Sequence, residues 1–138
     1  MTTPSNIERF NELTARILAD LYQAFPMPSE VFSAHYATAP EYGTEGQPDE
    51  ATEFFAATIR WLEASGYIRI GTDRGFVFMD TVLTPKGLEA LCVTPRSLQG
   101  EAPLGERLSE ALKSGSKSLL AETIKAVLAA GASRWFGG

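Results

Sequence analysis

Cysteine and histidine are almost missing from this 138-residue chain: Cys92 and His35 are the single examples of each. One cysteine excludes an intramolecular disulfide and suits a reducing compartment, so a cytoplasmic location is expected. One histidine and one cysteine give no metal-ligand spacing, and no metal or other cofactor is expected. Uninterrupted apolar runs of the roughly 18 to 20 residues that a membrane span needs are lacking too. The N-terminal stretch, Met1 to Phe10, shows no charged-then-apolar leader pattern. Basic residues are scarce where acidic ones abound. Residues 1–66 hold three arginines (Arg9, Arg16, Arg60) against ten carboxylates, whereas residues 67–138 hold nine basic against seven acidic side chains. The net charge of −5 thus resides in the first half. It disfavours non-specific nucleic-acid binding, which runs on phosphate neutralisation, without forbidding a local basic patch.

What the chain does have is 44% apolar residues, enough for a core. Ser5-Asn6-Ile7-Glu8 has capping-box spacing, and Ile7, Phe10, Leu13, Ile17, Leu18, Leu21 and Phe25 then recur on one helical face until Pro26 and Pro28. Ser29 can cap a short second helix over Glu30–Ala37. Residues 38–47 read as loop. A third helix starts near Pro48 or Asp49, buries Phe55, Thr58, Ile59 and Leu62, widens its apolar face with Phe54 and Trp61, and stops at Gly66. The period then falls from 3.6 to 2. Tyr67–Ile70 and Phe76–Leu83 form two strands around a Gly71–Gly75 turn, an antiparallel hairpin. Thr84-Pro85 opens a helix to about Cys92. A linker over residues 94–105 and two further helices, Glu106–Lys113 and Ser118 to about Phe136, complete the chain. The expected class is mainly α with a small two-stranded antiparallel hairpin (α+β): a domain over residues 1–93, the linker, and a C-terminal helical segment over residues 106–138.

The run Ile59-Arg60-Trp61-Leu62-Glu63-Ala64-Ser65-Gly66-Tyr67-Ile68, followed by Leu83-Thr84-Pro85-Lys86-Gly87-Leu88, resembles the helix-to-wing junction and the wing-closing helix of winged helix-turn-helix regulators such as the PadR and MarR families. The resemblance covers about residues 7–92. It implies a non-enzymatic, dimeric regulator that contacts double-stranded DNA through the third helix and the wing, with Arg60, Arg69, Arg74 and Lys86 as the contacting residues. It also implies a homodimer through the last helix, where Leu120, Ile124, Val127, Leu128 and Trp135 recur at helical spacing. That helix could equally fold back on its own domain. A membrane-surface role is disfavoured because only Lys117, Lys125 and Arg134 are basic there.

Two departures count against DNA: a loop of about ten residues replaces the tight turn between the second and third helices, and the third helix begins acidic. The exposed start of the third helix offers Asp49, Glu50, Thr52 and Glu53, and Glu30 to Glu53 contains six carboxylates and no lysine or arginine. Like charge facing phosphate costs free energy. The alternative is an acidic protein-interaction module that recognises a protein partner through the Glu30–Glu53 face and does not bind DNA. Catalysis has little to work with: His35 sits among aromatics, Cys92 reads as a buried inert thiol, and no carboxylate pair suggests an acid and a base.

Overall fold

The computed structural model describes residues 5–36, 50–94 and 102–136, the side chains of residues 5 and 134–136 excepted. The expected capping contact of Ser5, the loop over residues 38–47, the Pro48-Asp49 helix start and most of the 94–105 linker therefore lie outside the described residues. The remainder is mainly helical with one small antiparallel sheet: α1 (Ser5–Ala24), β1 (Ser29–Phe32), α2 (Ser33–Tyr36), α3 (Glu50–Ala64), β2 (Ile68–Arg69), β3 (Thr72–Asp73), β4 (Val77–Leu83), α4 (Pro85–Cys92), α5 (Leu104–Ser114) and α6 (Lys117–Phe136).

The 3.6-residue pattern delivers its core on both long N-terminal helices. Ile17, Leu18 and Leu21 of α1 and Phe55, Ile59 and Leu62 of α3 are fully or almost fully buried. The segment expected to be a helix over Glu30–Ala37 is instead, as far as Tyr36 where the described residues end, a strand followed by one helical turn. Ser29 pairs with Thr81, Val31 with Phe78 and Phe32 with Val77 on β4. The free edge of β4 offers this segment backbone partners and a buried place for Val31, which a surface helix would not. Tertiary pairing overrides the local cap signal of Ser29.

On its other edge β4 takes β2, with Ile68 opposite Leu83, and then β3, with Asp73 opposite Phe78. Between them the strand is kinked: Gly71 N–H is shared by the carbonyls of Met79 (3.0 Å) and Asp80 (3.2 Å), and Asp80 takes a left-handed φ of 52°. The expected five-residue turn is consequently shorter. Thr72 and Asp73 belong to the ladder, and the chain reverses where Arg74 N–H donates to Val77 O at 3.0 Å, with Gly75 at φ 94°.

Thr84 ends the hairpin and starts α4. Its hydroxyl accepts from Gly87 N–H at 3.1 Å and donates to the carbonyl of Gly66, tying the helix start to the α3 exit. Residues 104–136 do not stand apart. α5 begins at Leu104, two residues earlier than expected, because Leu104 and Leu108 are buried in the same core as α1 and α4. α6 packs along α1, α4 and α5. Leu120, Ile124 and Val127, assigned above to a dimer face, are interior residues of this core, and Leu128 is half-buried with its carbonyl accepting from Tyr67 Oη at 2.6 Å. These three buried side chains present no surface to a partner. The side chain of Trp135 lies outside the described residues.

Candidate functional site

The four expected nucleic-acid contacts do not form one available basic face. Lys86 is buried: its ammonium donates to Ser65 O at 2.6 Å and sits 4.6 Å from the centre of the Tyr67 ring, bracing the α3 exit. Arg60 is committed to the hairpin. Its Nε and Nη2 donate to the two carboxylate oxygens of Asp73 at 2.9 and 3.0 Å, and that hydrogen-bonded pair, followed by Gly75 N–H, holds the Asp73 carboxyl below the ordinary carboxylate range. Glu63, one turn on, accepts from Ile70 N–H at 3.0 Å, so α3 holds the hairpin by two polar contacts. Arg69 and Arg74 are exposed and, among the described residues, make no ion pair.

The acidic segment is likewise partly spent. Glu50 takes a bidentate pair from Arg9 at 3.0 Å, with the guanidinium 4.1 Å from the centre of the Phe54 ring. The Arg9 guanidinium is held even more firmly protonated than usual by this hydrogen-bonded pair. Glu30 and Glu53 are exposed; Glu41, Glu45 and Asp49 lie outside the described residues. Arg16 binds the carbonyls of Tyr36 (2.6 Å) and His35 (3.2 Å), closing the end of α2, and Tyr36 Oη donates to Asp20 at 2.7 Å. Burial and this bond to Asp20 push the Tyr36 phenol well above its ordinary range.

His35 is exposed, edge-on to Tyr36 and 3.7 Å from Asp20, a surface position. Cys92, expected to be buried, is exposed because α4 ends there and its buried face is completed by Ala90 and Leu91. Among the described residues no group of histidine, cysteine or carboxylate side chains could hold a metal ion. No described helix is long and apolar enough to cross a membrane.

The most distinct surface feature was not anticipated. Ile7 and Phe10, read as core from their spacing, lie at the start of α1 on the side turned toward α3. They face Phe54, Ala57 and Trp61 of α3 across an open apolar groove of about 400 Å³, with Asn6 and Thr58 contributing to its lining. Ile7 is 41% and Trp61 44% exposed. The Trp61 ring meets Phe10 edge-on at 5.1 Å and stacks on Tyr67 at 6.3 Å, which fixes the indole in place. The sequence signal was only the second apolar stripe that Phe54 and Trp61 add to α3. Comparison with family models, with curated proteins and with solved structures gives no match.

Proposed function

We propose that the chain is a non-enzymatic winged-helix module of the cytoplasm that docks a protein partner in the groove between α1 and α3. The observation that carries this is the held, half-exposed Trp61 facing Ile7 and Phe10 across an apolar groove. Aromatic anchors in apolar depressions are the usual centres of protein interfaces. The groove has room for one or two large side chains. Beside it α3 exposes Glu53, whereas Arg9 and Arg60 are occupied by Glu50 and Asp73. The fitting partner is therefore a segment with an apolar anchor and basic flanks.

A photo-crosslinking residue placed at Ala57 tests this in cells. One discrete adduct, absent from a control position at Lys113 and lost with Phe10→Asp, is expected. Identical adducts from both positions, or none at Ala57, would count against the groove.

A second reading has one specific support. Arg69 and Arg74 remain exposed on the hairpin, where a winged helix touches the DNA backbone. Duplex DNA bound through them should lose affinity steeply with salt. A gel shift at low salt in which Arg69→Ala/Arg74→Ala binds as well as wild type would remove this reading.

A further inference from the structure

The contact between α3 and the hairpin is built like an oxyanion site that already contains an oxyanion. Three donors from two elements converge on the Asp73 carboxylate: Arg60 Nε at 2.9 Å, Arg60 Nη2 at 3.0 Å and Gly75 N–H at 2.8 Å. The guanidinium is further oriented by lying 5.5 Å over the Phe78 ring. Its occupied edge, Nε with Nη2, presents the parallel N–H pair that recognises phosphate as readily as carboxylate. The Gly75 amide adds a neutral donor of the kind that anion-binding turns supply. Both partners are reachable from solvent, with side-chain exposures of 49% for Arg60 and 40% for Asp73.

We propose that Asp73 masks Arg60: its carboxylate fills a slot for phosphate oxygens formed by Arg60 and the Gly75 amide, and so holds down the affinity of the hairpin for the phosphate backbone of duplex DNA. The proposal rests on the second reading given above. The mask accounts for an arginine that sits on α3, on the side facing the hairpin, yet contributes no free positive charge. Arg69 and Arg74 supply the contacts that remain, and removal of the Asp73 charge adds Arg60 to them. An exposed ion pair is weak, so the mask sets affinity by a modest factor, about fivefold, rather than acting as an absolute block.

The experiment is a fluorescence-anisotropy titration of a random-sequence duplex at low salt with wild type, Asp73→Asn, Arg60→Ala and the double variant. Asp73→Asn keeps an acceptor for Gly75 N–H, removes the charge and puts an amide donor where Oδ2 accepted from Arg60 Nε, which releases the guanidinium. It should bind about fivefold more tightly than wild type, with the slope of log affinity against log salt steeper by about one. The gain should vanish in the double variant relative to Arg60→Ala. As a measurement independent of DNA, inorganic phosphate should raise the melting temperature of Asp73→Asn more than that of the double variant, whose rise measures the general salt effect. Asp73→Ser serves as the second charge-free variant, and circular dichroism verifies folding of each. Wild type and Asp73→Asn binding equally would overturn the mask while leaving the nucleic-acid reading intact. A gain that persists without Arg60 would also overturn it, by showing a general charge effect. No DNA binding by any variant would overturn both.

Discussion

Replacing Gly87 by alanine tests the junction that joins α3, the hairpin and α4. In an unconstrained helix this change is favourable by about 1 kcal/mol, because alanine loses less backbone freedom on folding. Here a Cβ on Gly87 would stand 2.1 Å from Tyr67 O, 3.1 Å from Tyr67 C and 3.3 Å from Leu83 Cδ2. An ordinary carbon–oxygen contact is about 3.3 Å or longer, so the two backbones must part by about 1 Å. The Tyr67 carbonyl cannot withdraw freely. It accepts from Thr84 N–H at 3.1 Å, while Tyr67 N–H donates to Leu62 O at 2.9 Å. Displacing α4 instead pulls Gly87 N–H off Thr84 Oγ1 and Lys86 off Ser65 O.

Overpacking of this kind costs about 1–3 kcal/mol, and each weakened hydrogen bond adds about 1 kcal/mol. With two bonds strained and the propensity gain subtracted, Gly87→Ala should lose about 3 kcal/mol. At this chain length that corresponds to a fall in Tm of roughly 10 °C. Urea and thermal unfolding followed by circular dichroism measure it, with Ala129→Gly at an exposed position of α6 as a propensity-only control losing about 1 kcal/mol. Gly87→Ala as stable as wild type, or more stable, would refute the argument that backbone contact rather than helix propensity selects glycine here.

Gly131→Ala on α6 should be destabilising by about 2 kcal/mol in the same assay, because its Cβ would lie 2.3 Å from Tyr67 Cε1. The ring is held by Leu128 O and Trp61, so it has no simple route away. Thr84→Ala removes the N-cap acceptor of α4 and the partner of the Gly66 carbonyl, and should cost about 1–2 kcal/mol by urea unfolding. The Asp73 carboxyl is lowered below its unfolded value, so its pairing with Arg60 stabilises the fold above that unfolded value, and the stabilisation is lost as pH falls from there through the lower folded value. Stability should therefore drop slightly more between pH 5 and pH 3 in wild type than in Asp73→Asn, a small difference because the pair is half-exposed. Parallel pH curves for the two proteins would show that the pair contributes nothing to folding.

The parts of the fold that follow from local chemistry could be read directly. Helical periodicity located Ile17, Leu18, Phe55 and Ile59, and the Gly66 and Thr84-Pro85 signals placed both ends of the hairpin. Contacts distant in sequence could not be read this way. Ser29 and Thr81 are paired across more than fifty positions, and nothing in Ser29-Glu30-Val31-Phe32 announces the edge of β4. Amphipathicity marks a face for burial without saying against what. Leu120, Ile124 and Val127 therefore served equally well for a dimer or for their own core, until α6 was seen packed on α1. The same limit hid the groove. Ile7 and Phe10 continue the stripe of α1, but face Phe54, Ala57 and Trp61 of α3 across an open groove instead of entering the core.

The arrangement of α3 favours the proposed docking of a protein segment over insertion into a DNA groove. One face, with Phe55, Ile59 and Leu62, belongs to the core; a second, with Arg60 and Glu63, fastens the hairpin; the third, with Phe54, Ala57 and Trp61, looks into the groove. A helix that enters the major groove must offer polar or cationic side chains from its exposed N-terminal half, because phosphate neutralisation supplies much of the binding energy. Here that half carries Glu50 and Glu53, and the helix's sole cation, Arg60, is bound to Asp73. Insertion would thus set carboxylates against phosphates and bury an indole among charged groups. Docking an apolar segment meets neither cost, because it removes Ile7 and Trp61 from water and leaves Glu53 to face basic flanks. The hairpin arginines can still lie along a phosphate backbone, but that contact would come from the hairpin side of the molecule and not from the N-terminal half of α3.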